Sequence, residues 1–203
     1  MGWYNGDWQT GIPGLPNWFE SNTYYSRVYD DFVVPEGGWT VVGAFCNNAV
    51  FEFPRVKRAV WDIRRDMSRG KGGKVVASGR AKATSTPVVS RRENPDGSLC
   101  RIEVKGLRVQ LPPGRYWISV SPEGTGQSFL AATKGANAAG EPPGNNGRTL
   151  VNALIRVPIF GMPNAAARST GNTHFEEAEA VAEYGKVGLG KDFSQGVIVL
   201  APR

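Results

Sequence analysis

Histidine is nearly absent: the 203-residue chain has one, His174. A zinc site built from several imidazoles is therefore excluded. A serine triad would have to use that residue, and no Gly-x-Ser-x-Gly turn is present to carry a nucleophile. Cysteine is scarce too, with only Cys46 and Cys100, so a disulfide-dense framework is ruled out. No apolar run approaches the roughly 20 residues that a membrane-spanning helix needs. The start, Met1-Gly-Trp-Tyr-Asn-Gly, has no basic region followed by an apolar one, so no signal peptide is expected in the sequence as it stands. Internal repeats and a linear calcium loop are also missing.

What is present is β-type. Gly (26) and Pro (14) lie scattered between apolar runs, which marks turns and not disorder. Short runs rich in Val, Ile, Thr, Tyr and Trp recur between those turns. About ten strands at this spacing predict an all-β, antiparallel β-sandwich of the jelly-roll type. Lys57 to Arg65 alternates well, with Ala59, Trp61 and Ile63 on one side and Arg58, Asp62 and Arg64 on the other. Cys100, Ile102 and Val104 alternate with Arg101, Glu103 and Lys105 in the same way. Residues 1–21 form an aromatic N-terminal arm, and residues 22–203 form a single β-sandwich domain. One short helix is expected near 174–184, because Thr173-His-Phe-Glu176 has capping-box spacing.

The order of several segments is familiar. Tyr29-Asp-Asp-Phe-Val-Val-Pro35, Gly37-Gly-Trp-Thr40, Gly114-Arg-Tyr-Trp-Ile-Ser119 and Gly135-Ala-Asn-Ala-Ala-Gly-Glu-Pro-Pro-Gly-Asn-Asn-Gly147 stand in sequence. Together they resemble a recurring, uncharacterised family of exported bacterial β-sandwich domains, over most of residues 4–160. That resemblance implies a secreted or surface-displayed protein. It brings no catalytic residues with it. Such domains often precede a C-terminal sorting segment, whereas this sequence runs Val197-Ile-Val-Leu-Ala-Pro-Arg203 to its end.

The remaining chemistry is sparse. Asp30 and Asp31 are adjacent on a strand, so they face opposite sides and cannot act as a pair across one bond. With Asp7 and nearby carbonyls they are candidates for a calcium ion, which takes roughly six to eight oxygens; no other cofactor is expected. Cys46 and Cys100 either pair, closing a loop of about 55 residues for roughly 4 kcal/mol, or remain two buried thiols.

Charge is segregated. Residues 55–92 hold twelve of the 24 basic residues and two acids, Asp62 and Asp66, for a net of +10. The whole chain is +6, so the remainder carries −4. Alternating strands would set the basic side chains in rows on one face, which suits a linear polyanion. No nucleic-acid motif accompanies them, so nucleic acid is an unlikely partner. Contact between that face and the acidic segment Glu176, Glu177, Glu179 and Glu183 of a second copy would build a homo-oligomer or fibre.

These readings converge on a non-enzymatic, extracellular or cell-surface β-sandwich, a structural or matrix component that self-assembles. The alternative is a carbohydrate-binding module for acidic polysaccharide. It would stack sugars on Trp3, Trp8, Trp18 or Trp117 and hold acidic groups with Arg64, Arg65 or Lys74. Trp117 is the favoured ring, because Tyr116, Ile118 and Val120 take the inward positions of its strand.

Overall fold

Alternation builds the walls of this protein, and one long strand joins them. The computed structural model describes residues 1–8, 14–22, 24–51, 56–89, 98–125, 127–142, 149–154, 173–177 and 193–200. The strands are β1 (Trp3–Tyr4), β2 (Leu15–Pro16), β3 (Trp18–Ser21), β4 (Tyr24–Val34), β5 (Trp39–Phe51), β6 (Arg58–Arg65) and β7 (Lys74–Val89). They continue with β8 (Ser98–Leu111), β9 (Gly114–Pro122), β10 (Gln127–Leu130), β11 (Leu150–Leu154), β12 (Thr173–Glu177) and β13 (Gln195–Val199). Neighbours run β1-β13-β5-β8-β7-β6-β9-β4-β11-β12, with β10 against β5 and β2, and β3 against β4. Every pairing between these strands is antiparallel, and the sheet curls into a half-barrel.

The all-β, antiparallel expectation holds. The two walls are not separate layers, however: they are one continuous sheet that turns through β7. Lys74 to Lys82 pair with β6, and Ala83 to Val89 pair with β8. The β4–β5 connection has a related role. Its turn closes with Gly38 N–H donating to Pro35 C=O at 3.1 Å, but the two strands do not pair with each other. β4 belongs to the wall of β9 and β11, and β5 to the wall of β8 and β13. Gly38 sits at φ 70°, and a Cβ there would lie 2.7 Å from the Leu111 carbonyl oxygen, so this turn needs glycine.

The interior is filled from both walls. Val28, Phe32 and Val34 of β4 meet Val41, Ala44 and Cys46 of β5, Ala59, Trp61 and Ile63 of β6, Ile102 and Val104 of β8, and Tyr116, Ile118 and Val120 of β9. Phe32 is the hub. Its ring lies 5.7 Å from Trp3, 6.1 Å from Trp39 and 5.8 Å from Tyr116, centroid to centroid. Those rings come from β1, β5 and β9, so one side chain ties three strands to a fourth.

The aromatic arm is part of the sheet. Trp3 and Tyr4 pair with Val197 and Gly196, Leu15 and Pro16 pair with β10, and Trp18 and Phe19 pair with β4. Trp3 and Trp18 are consequently buried.

The helix expected near 174–184 is corrected by the structure. Thr173–Glu177 is a strand, with Val151 opposite Glu176 and Leu150 opposite Glu177. A lone helix of about eleven residues is marginal in water, whereas the exposed ladder of β11 offers ready backbone partners. Residues 178–184 lie outside the described residues. Among the described residues there is no helix, and none is long and apolar enough to cross a membrane.

Phe32→Ala should be the costliest apolar truncation in the core. It removes three ring contacts from a fully buried position, and the expected loss is about 3–5 kcal/mol. Urea unfolding followed by tryptophan fluorescence measures it; a loss below about 1 kcal/mol would contradict the hub role.

Candidate functional site

Three polar regions arise from this scaffold, and they differ in what is left for a ligand. The first lies inside the curl. Asn5 N–H donates to Gln195 C=O at 3.0 Å, continuing the β1–β13 ladder, and Gln195 stands opposite Cys46 of β5. From the opposite wall, Asp30 Oδ2 accepts from Asn5 Nδ2 at 2.5 Å and from Phe193 N–H at 3.3 Å. Asp30 is 1% exposed, and this carboxylate serves to fasten β1 and the start of β13 to β4. Burial pushes the Cys46 thiol far above the usual thiol range, so it is not a nucleophile at neutral pH. Cys46 and Cys100 are both free. They sit two positions apart in register, Cys46 opposite Ile102 and Cys100 opposite Asn48, with the pair Asn47 and Arg101 between. Diagonal partners across a ladder are too distant for a disulfide without strand movement, so of the two alternatives the structure has the pair of buried thiols.

The second region is outside the curl, over β4, β6 and β9. Asp62 is 1% exposed and accepts from Arg27 Nη2 at 2.9 Å, Arg64 Nε at 2.8 Å and the Tyr29 hydroxyl at 3.3 Å. Both guanidinium groups lie 5.5 Å from the Tyr29 ring centroid. Arg64 also donates to the Gly72 carbonyl at 2.8 Å. Next to it, Tyr29, Met67, Trp117 and Leu150 form a small apolar cluster. Trp117 does face away from the main core, as its strand alternation predicts. It is nonetheless buried, because Met67 and Leu150 are brought over it from distant parts of the chain.

The carboxylates proposed for calcium are dispersed by these roles. Asp7 accepts from the Tyr4 hydroxyl at 2.8 Å and from Asn137 Nδ2 at 2.6 Å. Asp30 faces inward, while Asp31, fully buried, accepts from Arg115. Among the described residues no three His, Cys, Asp or Glu side chains group closely enough to hold a metal.

The third region remains open to solvent. Outward positions of β6, β7 and β8 form a cleft of about 620 Å³ lined by Lys57, Arg58, Lys82, Thr84, Glu103 and Lys105, with Val56 and Ala83. Arg58 is directly opposite Lys82. Ala83 opposite Val104 then sets Lys82 beside Lys105, so three cations cross three strands in a row. The cleft's single acid, Glu103, is already engaged: Arg101 Nε is 3.1 Å away and Lys105 Nζ 3.3 Å. Arg58 reaches the half-buried Glu123 only at 3.5 Å. Like charges directly opposite on a sheet destabilise it, and an anion in the cleft would relieve that cost.

The sugar-contact residues expected from sequence fare unevenly. Trp3, Trp18 and Trp117 are buried, and Trp8 is half-buried, bridged to Thr133. Arg64 is committed to Asp62. Arg65 and Lys74 are exposed and face each other across the far end of the β6–β7 pair. Lys57, Arg58 and Lys82 were legible as part of the basic segment. Lys105 was not, because it lies outside that segment and joins it only through β8. Trp39 was missed as well. It is half-buried, stacked on Phe32 on one side, and lines a second groove of about 1050 Å³ with Pro35, Thr40, Gln110, Pro112 and Leu200.

Compared with protein-family models, curated proteins and solved structures, the chain matches none of them.

Burial pushes the Tyr4 hydroxyl up to about 12, with its bond to Asp7 adding to the shift. Burial pushes the Tyr29 hydroxyl still higher, with Asp62 adding to it. A raised folded value means the neutral phenol is favoured on folding. That stability is fully present below the unfolded value near pH 10 and is lost as pH rises through the folded one. Stability should therefore fall between about pH 10 and 12. Ultraviolet absorbance should show these two phenolates appearing together with unfolding; their ionisation in the folded protein near pH 10 would contradict their burial.

Proposed function

We propose that this chain is a non-enzymatic, exported β-sheet protein of a cell surface or extracellular matrix that holds acidic polysaccharide against its cationic outer face. The observation that carries this reading is the row of Arg58, Lys82 and Lys105, with Lys57 beside it, around a cleft whose single acid is already paired. Export rests on the resemblance of Tyr29–Pro35, Gly114–Ser119 and Gly135–Gly147 to exported bacterial domains. A polysaccharide is favoured over nucleic acid because the residues that line the cleft include no aromatic ring on which bases could stack.

The buried ionisable groups support a scaffold role. Asp30, Asp31 and Asp62 each join separate strands, and removing any of them would loosen the walls. A self-assembling role through the acidic segment loses its helix, since Glu176 and Glu177 lie on β12. Glu179 and Glu183 lie outside the described residues.

The test is titration calorimetry with a polyuronate and with a neutral glucan of similar length. The polyuronate should bind and the glucan should bind far more weakly. The double variant Lys82→Ala/Lys105→Ala should weaken polyuronate binding by roughly five- to tenfold, since each exposed charge pair contributes about 0.2–1 kcal/mol. Raising salt to about 0.5 M, where the screening length falls to a few ångströms, should abolish most of the remainder. Equal binding of both polymers, or of wild type and variant, would refute the proposal.

A further inference from the structure

The cationic cleft and the Trp39 groove lie on one strand. Lys105, at the edge of the cleft, and Gln110, at the edge of the groove, are both outward residues of β8. Arg108 lies between them and is exposed. At about 3.3 Å per residue the two ends are separated by at most about 17 Å. The run is locally irregular. Val41 pairs with Val109 and Gly43 with Lys105, so one β5 residue opposes three in β8, and Gly106 takes φ 75° to allow it. The bulge turns Leu107 inward, where it is buried, and leaves Arg108 on the surface.

The two ends differ in chemistry. The cleft presents Lys57, Arg58, Lys82 and Lys105. The groove presents the rings of Trp39, Pro35, Pro112 and Pro113 beside polar groups, with the Thr40 hydroxyl 3.2 Å from Gln110 Oε1 and the exposed Glu36 carboxylate placed to accept from ligand hydroxyls. A ligand serving both must be anionic and must also offer flat C–H surfaces next to hydroxyls. A linear acidic polysaccharide carries both features in each repeat. An acidic peptide lacks the hydroxyl-edged rings. Single-stranded nucleic acid stacks successive bases on several rings, and among the residues lining the cleft and the groove Trp39 is the one aromatic ring.

We infer that β8 is a binding track for a linear acidic polysaccharide, anchored in the Lys82–Lys105 cleft, guided by Arg108 and ending against Trp39, Thr40 and Gln110. This rests on the polysaccharide reading above and goes further by assigning the path of the polymer and a second subsite that holds no cation, lined by apolar rings, Thr40, Gln110 and the Glu36 carboxylate.

Binding of oligouronates of increasing length, measured by calorimetry, tests it. Affinity should climb with length until the oligomer spans both ends of the track. In Arg108→Ala/Gln110→Ala, two exposed positions outside the core, that length-dependent gain should shrink by roughly tenfold, about 1.4 kcal/mol. The shortest oligomer should bind wild type and variant alike. Arg65→Ala, at the far end of β6, should change neither. Affinity that stops rising at the disaccharide, or a variant that keeps the full gain, overturns the track while leaving the cleft as an anion site. Polyglutamate binding as tightly as a polyuronate of equal charge overturns the sugar assignment of the groove. Failure of every anionic polymer to bind overturns the track together with the cleft.

Discussion

A buried backbone must keep its hydrogen bonds, and β7 is where that requirement shapes the molecule. Its first half is bonded to β6 and its second half to β8. No break in the ladder is therefore needed where one wall becomes the other. An unpaired buried peptide group costs as much as a lost hydrogen bond, so a sheet that must enclose its own apolar face does better to curl than to split. The curl brings β4 opposite β5 with no ladder between them. Side chains do the joining, and Phe32 with Trp3, Trp39 and Tyr116 fills that space. The β4–β5 turn thus spans the core, and the strands it connects serve different walls.

The same constraint decides where charge can go. Inward charge is tolerated only where it is fully used, and Asp30 illustrates this, held by Asn5 and the Phe193 amide. On the outside of the β4–β9–β6 wall, Asp62 is covered and neutralised by two arginines. The double coverage of that wall explains why Trp117 does not reach solvent. By contrast, the outer face of β6, β7 and β8 around Lys82 is exposed, and its cations outnumber the acids Glu103 and Glu123 that reach them. The buried acids Asp30, Asp31 and Asp62 thus join strands, whereas the cations around Lys82 stand on an exposed face.

Much of this was legible in the residues, and what was not has physical causes. Alternation in Arg58–Arg65 and Leu99–Lys105 gave the correct inward faces, because a half-buried strand repeats every two residues. The inward direction of Asp30 followed from Val28, Phe32 and Val34 by the same parity. Strand partners did not follow, since parity says nothing about which strand lies alongside. Lys105 therefore looked unrelated to Lys82, and Cys46 and Cys100 looked free to meet. The capping-box spacing at Thr173 failed for a different reason: local propensity is worth little against a ladder supplied by β11. Burial of Trp117 was beyond any local pattern, as Met67 and Leu150 come from opposite ends of the chain's middle.

The cationic row can be judged by its cost to the fold. Arg58 opposite Lys82 is an unfavourable pair, of order 0.2–1 kcal/mol, and Lys105 adds a third charge to the row. A sheet selected only for stability would place an acid at one of these positions, as it does at Glu103 between Arg101 and Lys105. Here the neighbouring strand keeps the repulsion and the cleft stays open. Water and salt screen that repulsion only in part, so the local potential stays positive and draws anions from solution. The Trp39 groove adds the other half of the argument. It lies at the end of the same strand, largely apolar and with Glu36 as its one charge, so electrostatics alone would not hold an anion there. A partner that prefers both ends of β8 must combine charge with apolar faces along one chain, and an acidic polysaccharide combines them in every repeat.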